Sequence, residues 1–189
     1  MVNSVAVYIR AKDENRPELM RSAFSDDATL EMVVNSGAIS FPPLTEGIGS
    51  ITDVLVTRFN ETFENVRTFC LANPPKPDRT AFSCAWLVGM SEKKTGAVRV
   101  GCGRYDWSFQ ARGPHLANRL RITIEEMEIL PPQDWAAVMN WLSKLPYPWC
   151  NARLAVRGAP NVGRLEPIIR YLGKMDSEDA SGSKALLGK

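Results

Sequence analysis

Between residues 66 and 130 this chain carries four strand-length stretches in succession, 66–72, 81–91, 97–110 and 120–130, with only breakers between them. Each is rich in β-branched, aromatic or other apolar residues, the composition that suits a pleated, half-buried surface. Pro74-Pro75-Lys76-Pro77-Asp78 separates the first two, Glu92-Lys93-Lys94-Thr95-Gly96 turns the second into the third, and Arg112-Gly113-Pro114 breaks the third from the fourth. Links this short have no room for a crossover helix, so the stretches predict an antiparallel sheet.

Helical patterns come before this block. Val5, Ile9 and Lys12, with Tyr8 between them, predict a first helix over 3–12. The turn Asp13–Pro17 leads into a second helix over 18–24, because proline in a first turn loses no hydrogen bond. Ser25-Asp26-Asp27 ends that helix, and 28–34 reads as a strand. Pro42 and Pro43 allow only an edge strand or extended loop around 39–44. Ser50 caps a third helix over 51–63, in which Ile51, Leu55, Phe59 and Phe63 recur every fourth residue. Helices first and strands afterwards make the class α+β.

After Pro131-Pro132 a short helix is expected over 133–144, carrying Trp135, Val138, Met139 and Leu142. Beyond Pro146-Tyr147-Pro148-Trp149, Val162, Leu165, Ile169 and Leu172 have the spacing of one amphipathic helix whose start Pro167 limits. Asp176–Ser183 is small, polar and expected to be disordered. Residues 1–145 therefore read as one domain and 146–189 as an extension, with seven basic and four acidic residues over 151–189.

Composition narrows the function classes. In 189 residues, 44% hydrophobic and 23% charged, one domain with a full core is expected. Lys and Arg number 23 against 21 Asp and Glu, which leaves no electrostatic footprint for nucleic acid. No apolar run reaches the length of a membrane span, and the first residues lack the basic-then-apolar order of a secretory signal, so a cytoplasmic protein is expected. Cys70, Cys84, Cys102 and Cys150 are too scattered for a zinc or iron–sulfur motif and read as buried thiols. His115, the one histidine, follows Gly113-Pro114 in a loop, which argues against Ser-His-Asp or Cys-His catalysis. No metal site is expected.

Three segments carry a family resemblance. Tyr8-Ile9-Arg10-Ala11 through Phe24-Ser25-Asp26-Asp27-Ala28-Thr29-Leu30-Glu31 resembles the Y-x-x-A … L-x-x-x-F-x-D-D-A opening of the NTF2-like superfamily, in its SnoaL-like and ketosteroid-isomerase-like branch. Gly47 before an apolar-striped helix is similar to the next element, and Gly103-Arg104-Tyr105-Asp106-Trp107-Ser108-Phe109 to the central strand. The resemblance spans roughly residues 3–130. It implies a cone in which N-terminal helices pack on a curved antiparallel sheet, a pocket between them, no cofactor, and a homodimer.

A carbon-acid isomerase needs a carboxylate base and donors for the developing oxyanion. By resemblance Tyr8 stands at the donor tyrosine, but Met32 stands where the base would be, and a thioether takes no proton at neutral pH. The chain is therefore not a ketosteroid isomerase. The second donor falls within one residue of Asp106. If Asp106 faces inward, Cys102, Arg104 and Ser108 do too; in the opposite register Tyr105, Trp107 and Phe109 line the pocket. Both registers stand at this level.

Two functional readings follow. In one, the chain is a cofactor-free isomerase, cyclase, dehydratase or hydrolase acting on a small, largely apolar molecule. Tyr8 and Asp106 would do its acid–base work, and Tyr8, Met32, Phe59, Trp86, Arg104 and Asp106 would line its pocket. In the other, it is a non-catalytic module of the same fold that binds a ligand or another protein. The two are separated by whether Tyr8 and Asp106 meet in one cavity.

Overall fold

The computed structural model describes residues 4–77 and 79–174. The segment 176–183, expected to be disordered, lies outside them. Helix α1 (Ser4–Asp13) buries Val5, Tyr8, Ile9 and Lys12 on one side, as the i, i+3/i+4 spacing dictates. Pro17–Ser22 then forms a short 3-10 turn, not the expected α-helix over 18–24. The chain straightens at Phe24 because β1 (Phe24–Val34) already begins there. Ser25-Asp26-Asp27 belongs to this strand, at the irregularity between Phe24 and Thr29.

A short strand β2 (Leu44–Glu46) follows the loop 35–43, so the two prolines lie in the loop and not within a strand. Next comes one helical rod in three parts: α2 (Ile48–Thr52), a π-helical segment Asp53–Thr57, and α3 (Arg58–Thr62). Side chains exactly four apart drift by about 40° per step on an α-helix of 3.6 residues per turn. The wider π turn takes up part of that drift and holds Ile51, Leu55 and Phe59 on the buried side.

Strands β3 (Phe63–Cys70), β4 (Ala81–Glu92), β5 (Val98–Phe109) and β6 (Ala117–Leu130) then pair antiparallel in sequence order. The full order is β2-β1-β6-β5-β4-β3. One pairing departs from the expected all-antiparallel sheet: β1 runs parallel to β6, with Leu30 opposite Leu120 and Val34 opposite Ile124. The helical rod between β1 and β3 carries the chain across, so the sheet is mixed and curved.

Two cores result. The inner one packs α1 and the rod against one sheet face, with Tyr8, Phe24, Leu30, Trp86, Tyr105, Trp107 and Leu120 at its centre. The outer one covers the other face of β3, β4 and β5. There Phe69, Leu87, Val98, Val100 and Cys102 meet Val138, Trp141 and Leu142 of α4 (Trp135–Ser143), Ala155 of α5 (Ala152–Gly158), and Ile168 and Leu172 of the helical stretch 166–174. The expected C-terminal helix is present as a 3-10 turn (Gly163–Leu165) running into the stretch 166–174, α5 before it was not expected, and both lie on their own domain. The Trp141 indole N–H donates to the Ala155 carbonyl (2.9 Å), which ties α4 to α5.

Candidate functional site

Strand alternation sends Trp86, Val88 and Met90 of β4 to the inner face. Ile122 and Ile124 of β6 join them, and a bulge opposite Cys102/Gly103 shifts the phase so that Met127 points inward too. With Met32 of β1 and Tyr105 of β5 they form one side of a cavity. Tyr8 and Lys12 of α1, Leu55 and Phe59 of the rod, and Ile39 and Phe41 of the loop 35–43 form the other. The space open to the centre of a water-sized sphere is about 50 Å³.

The walls are apolar apart from a few hydrogen-bond donors. Tyr8 and Tyr105 are buried with their rings edge to face at 6.1 Å. Burial pushes both phenols far above the usual tyrosine range, so both remain neutral O–H groups. Trp86 stacks on Tyr105 at 5.6 Å, and its indole nitrogen is buried without a hydrogen-bond partner.

The charged member is Lys12. Its side chain is only 7% exposed, and its Nζ lies 4.9 Å from the centroid of the Phe59 ring. It donates to Thr68 Oγ1 (2.6 Å) and pairs with Asp13 Oδ1 at 3.1 Å. Asp13 in turn accepts from the Thr68 backbone N–H (2.6 Å), Thr68 Oγ1 (2.8 Å) and the Tyr147 hydroxyl (3.1 Å). A carboxylate with this many donors is spent on structure: it balances the buried ammonium and leaves Lys12 fixed in the cavity wall. The Asn60 amide, donating to the Lys12 carbonyl (3.0 Å), closes the end of α1 onto the rod.

Of the residues singled out from sequence, Tyr8, Met32, Phe59 and Trp86 line this cavity. Arg104 and Asp106 do not. They lie on the opposite face of β5, where Asp106 Oδ1 accepts from Ser83 Oγ (2.6 Å) and Arg104 Nε (2.8 Å). Partial burial works to raise the Asp106 pKa, but these two bonds and the nearby arginines outweigh it and hold the carboxylate below its usual range. The inward register belongs to Tyr105, Trp107 and Phe109, because three large rings gain more from burial than Arg104, Asp106 and Ser108 would. The Trp107 ring lies 5.5 Å from Tyr8 and 5.7 Å from Phe24, and stacks on Phe109 at 6.1 Å. The Tyr8–Asp106 pair required by the acid–base reading is therefore not assembled.

Lys12 is the charged cavity residue that sequence reasoning left out; Tyr105 was placed in the pocket in one of the two registers left open, and most of the apolar lining was not named. The signal for Lys12 was its place four residues after Tyr8 on the apolar side of α1, where a solvated lysine has no reason to be. All four cysteines are free and buried; Cys70 and Cys84 lie against each other, and that contact together with burial raises the Cys70 pKa. Among the described residues no group of His, Cys, Asp and Glu is arranged to hold a metal ion, and no helix is long and apolar enough to cross a membrane.

No protein-family model and no curated protein matches this chain. Solved structures do. An NTF2-like superfamily protein from Salmonella enterica superposes with a TM-score of 0.51 at 14% identity, over 65% of this chain and 87% of that one. A hexachlorocyclohexane dehydrochlorinase (LinA) of type 2 gives 0.54 at 10% identity, over 68% and 84%. At these identities the likeness is one of fold. Helices closing the inner face of a curved mixed sheet, with a cavity between the layers, are the NTF2-like fold, and this chain has it.

Proposed function

We propose that the cavity binds a small, largely apolar molecule that presents one hydrogen-bond-accepting oxygen, such as a carbonyl, to Tyr8 and Lys12. The observation that carries this reading is the chemistry of the lining: apolar side chains with Tyr8, Tyr105, Lys12 and Trp86 as the lining residues that carry a hydrogen-bond donor. An acceptor oxygen would offer the Tyr8 hydroxyl a partner and the Lys12 ammonium a further one beside Thr68 and Asp13. A free carboxylate suits the site less well, because Asp13 already balances the charge of Lys12.

The same lining favours binding over acid–base catalysis. Stabilising an oxyanion requires donors, which the cavity has; moving a proton from carbon requires a base, and no Asp, Glu or His lines it. A neighbour of the same fold is a dehydrochlorinase, so the fold itself accommodates chemistry on a small apolar molecule. Here the donor set supports a binding site that polarises its ligand.

Titration with 2-octanone, followed by calorimetry, tests the reading. Saturable binding is expected, weakened about 3- to 10-fold in Tyr8→Phe, the loss of one net hydrogen bond. Absence of saturable binding, or equal affinity in the variant, would contradict it. Tyr8→Phe is preferred to a change at Lys12, which would leave Asp13 buried and unpaired.

A further inference from the structure

The cavity by itself is small. About 50 Å³ of room for water-sized centres holds only a few waters, each needing on the order of 10–15 Å³ by this measure. A molecule with an apolar body and a carbonyl needs more room, so some part of the wall must give way.

Most of the wall is β-strand or helix and is held by backbone ladders. The exception is Ile39 and Phe41, on the loop 35–43. That loop is fixed before and after them: Arg99 Nη1 donates to the Ala38 carbonyl (2.6 Å), and the Met32 N–H donates to the Pro43 carbonyl (2.9 Å). Among the described residues, no backbone hydrogen bond joins Ile39, Ser40 or Phe41 to the rest of the chain.

On the far side of the same side chains lies a second space, an open crevice of about 230 Å³ between the loop and the rod. Ile39, Phe41 and Phe59 line both spaces. Val54, Thr62 and Phe63 continue the apolar surface of the crevice, and Arg58 stands at it paired to Asp53. A thin partition of apolar side chains on an unladdered loop therefore separates an inner chamber with donors from an outer apolar groove.

We infer that the two spaces form one elongated binding path and that the ligand is a chain-like or extended apolar molecule, its oxygen held at Tyr8 and Lys12 and its tail passing Phe41 into the crevice. This rests on the proposed binding of an acceptor oxygen in the inner cavity and adds the ligand's shape and its route of entry. Moving Phe41 aside breaks no backbone bond, and the tail replaces the apolar contacts that Phe41 gives up.

A homologous series of 2-alkanones, from 2-butanone to 2-decanone, tests it on the intact protein. In the wild type, affinity should rise by about fourfold per added methylene through the long members, the equivalent of about 0.8 kcal/mol per buried CH2. Thr62→Trp places a bulky ring in the crevice from an exposed position outside the inner cavity. In that variant the short ketones should bind as in the wild type and the rise should stop early. Phe41→Ala should speed both association and dissociation. A wild-type series that levels off at the same short chain as Thr62→Trp, or an undiminished rise in Thr62→Trp, would overturn the elongated path while leaving the inner site intact. If no member binds at all, both proposals fall.

Discussion

Two ion pairs with the same kinds of groups carry different weight in this molecule. Lys12 and Asp13 expose 7% and 4% of their side chains; Arg104 and Asp106 expose 56% and 36%. Removing Lys12 leaves a buried carboxylate without its countercharge, and Lys12→Met is expected to lower stability by about 3–5 kcal/mol in urea unfolding. Removing the Asp106 charge on the open face should change it by less than about 1 kcal/mol. The small effect has a defined pH dependence. Because the folded-state pKa of Asp106 is held down, the unfolded state binds more protons near pH ~4, and the stabilisation is present above that pH and lost as pH falls through the folded value. Urea midpoints of wild type and Asp106→Asn should therefore differ at pH 6 and converge toward pH 3. At this scale the family resemblance pointed to Tyr8 and Met32, and the apolar stripe of the third helix to Phe59. The sequence could not place Asp106, since alternation says which residues share a face of a strand and not which face is inside.

At the scale of elements, the close approach of β5 to β6 depends on Gly103. A Cβ at that position would stand 1.9 Å from the Thr123 carbonyl oxygen, a backbone atom that cannot swing away. Gly103→Ala should lower the melting temperature sharply, by several degrees or more, or prevent folding. At Gly163 an added Cβ meets nothing within 4 Å, and Gly163→Ala should leave the melting temperature within about a degree or two. Local pattern made most elements legible: α1, β4 and β5 follow directly from period 3.6 and period 2. Phe24–Asp27 was misread because the polar Ser-Asp-Asp run reads as a helix stop, while its pairing partner in β6 is some ninety residues away. The same distance hid the parallel pairing of β1 with β6. The fourfold spacing of Ile51, Leu55 and Phe59 is more regular than an α-helix prefers, and the π segment is its structural counterpart.

At the scale of the whole molecule, the C-terminal segment completes the fold. Phe69, Leu71, Leu87, Val98 and Val100 form an apolar surface that α4, α5 and the stretch 166–174 cover together with Leu145, Tyr147, Cys150 and Leu165. A chain ending at residue 145 keeps α4 but loses the rest of that cover. It should bind a hydrophobic dye and aggregate at concentrations where the full chain remains dispersed, as light scattering would record. Sequence alone could not assign this segment to its own sheet rather than to a partner, because an amphipathic helix looks the same in either role. The Tyr147 hydroxyl on Asp13 also links this segment to the cavity wall, with its ring edge to face on Phe69 at 5.9 Å. Tyr147→Phe should lower stability by about 1 kcal/mol in urea unfolding without abolishing the fold.

The central claim is that an apolar ligand enters the space between α1, the rod and the inner sheet face. Three methionines, Met32, Met90 and Met127, line that space, while Met20 and Met139 do not. Methyl-labelled methionine spectra recorded during a 2-octanone titration test the claim most directly. The account predicts saturable shifts at Met32, Met90 and Met127 with Met20 and Met139 unmoved; shifts confined to Met139, or no shift at the three cavity methyls, would contradict it.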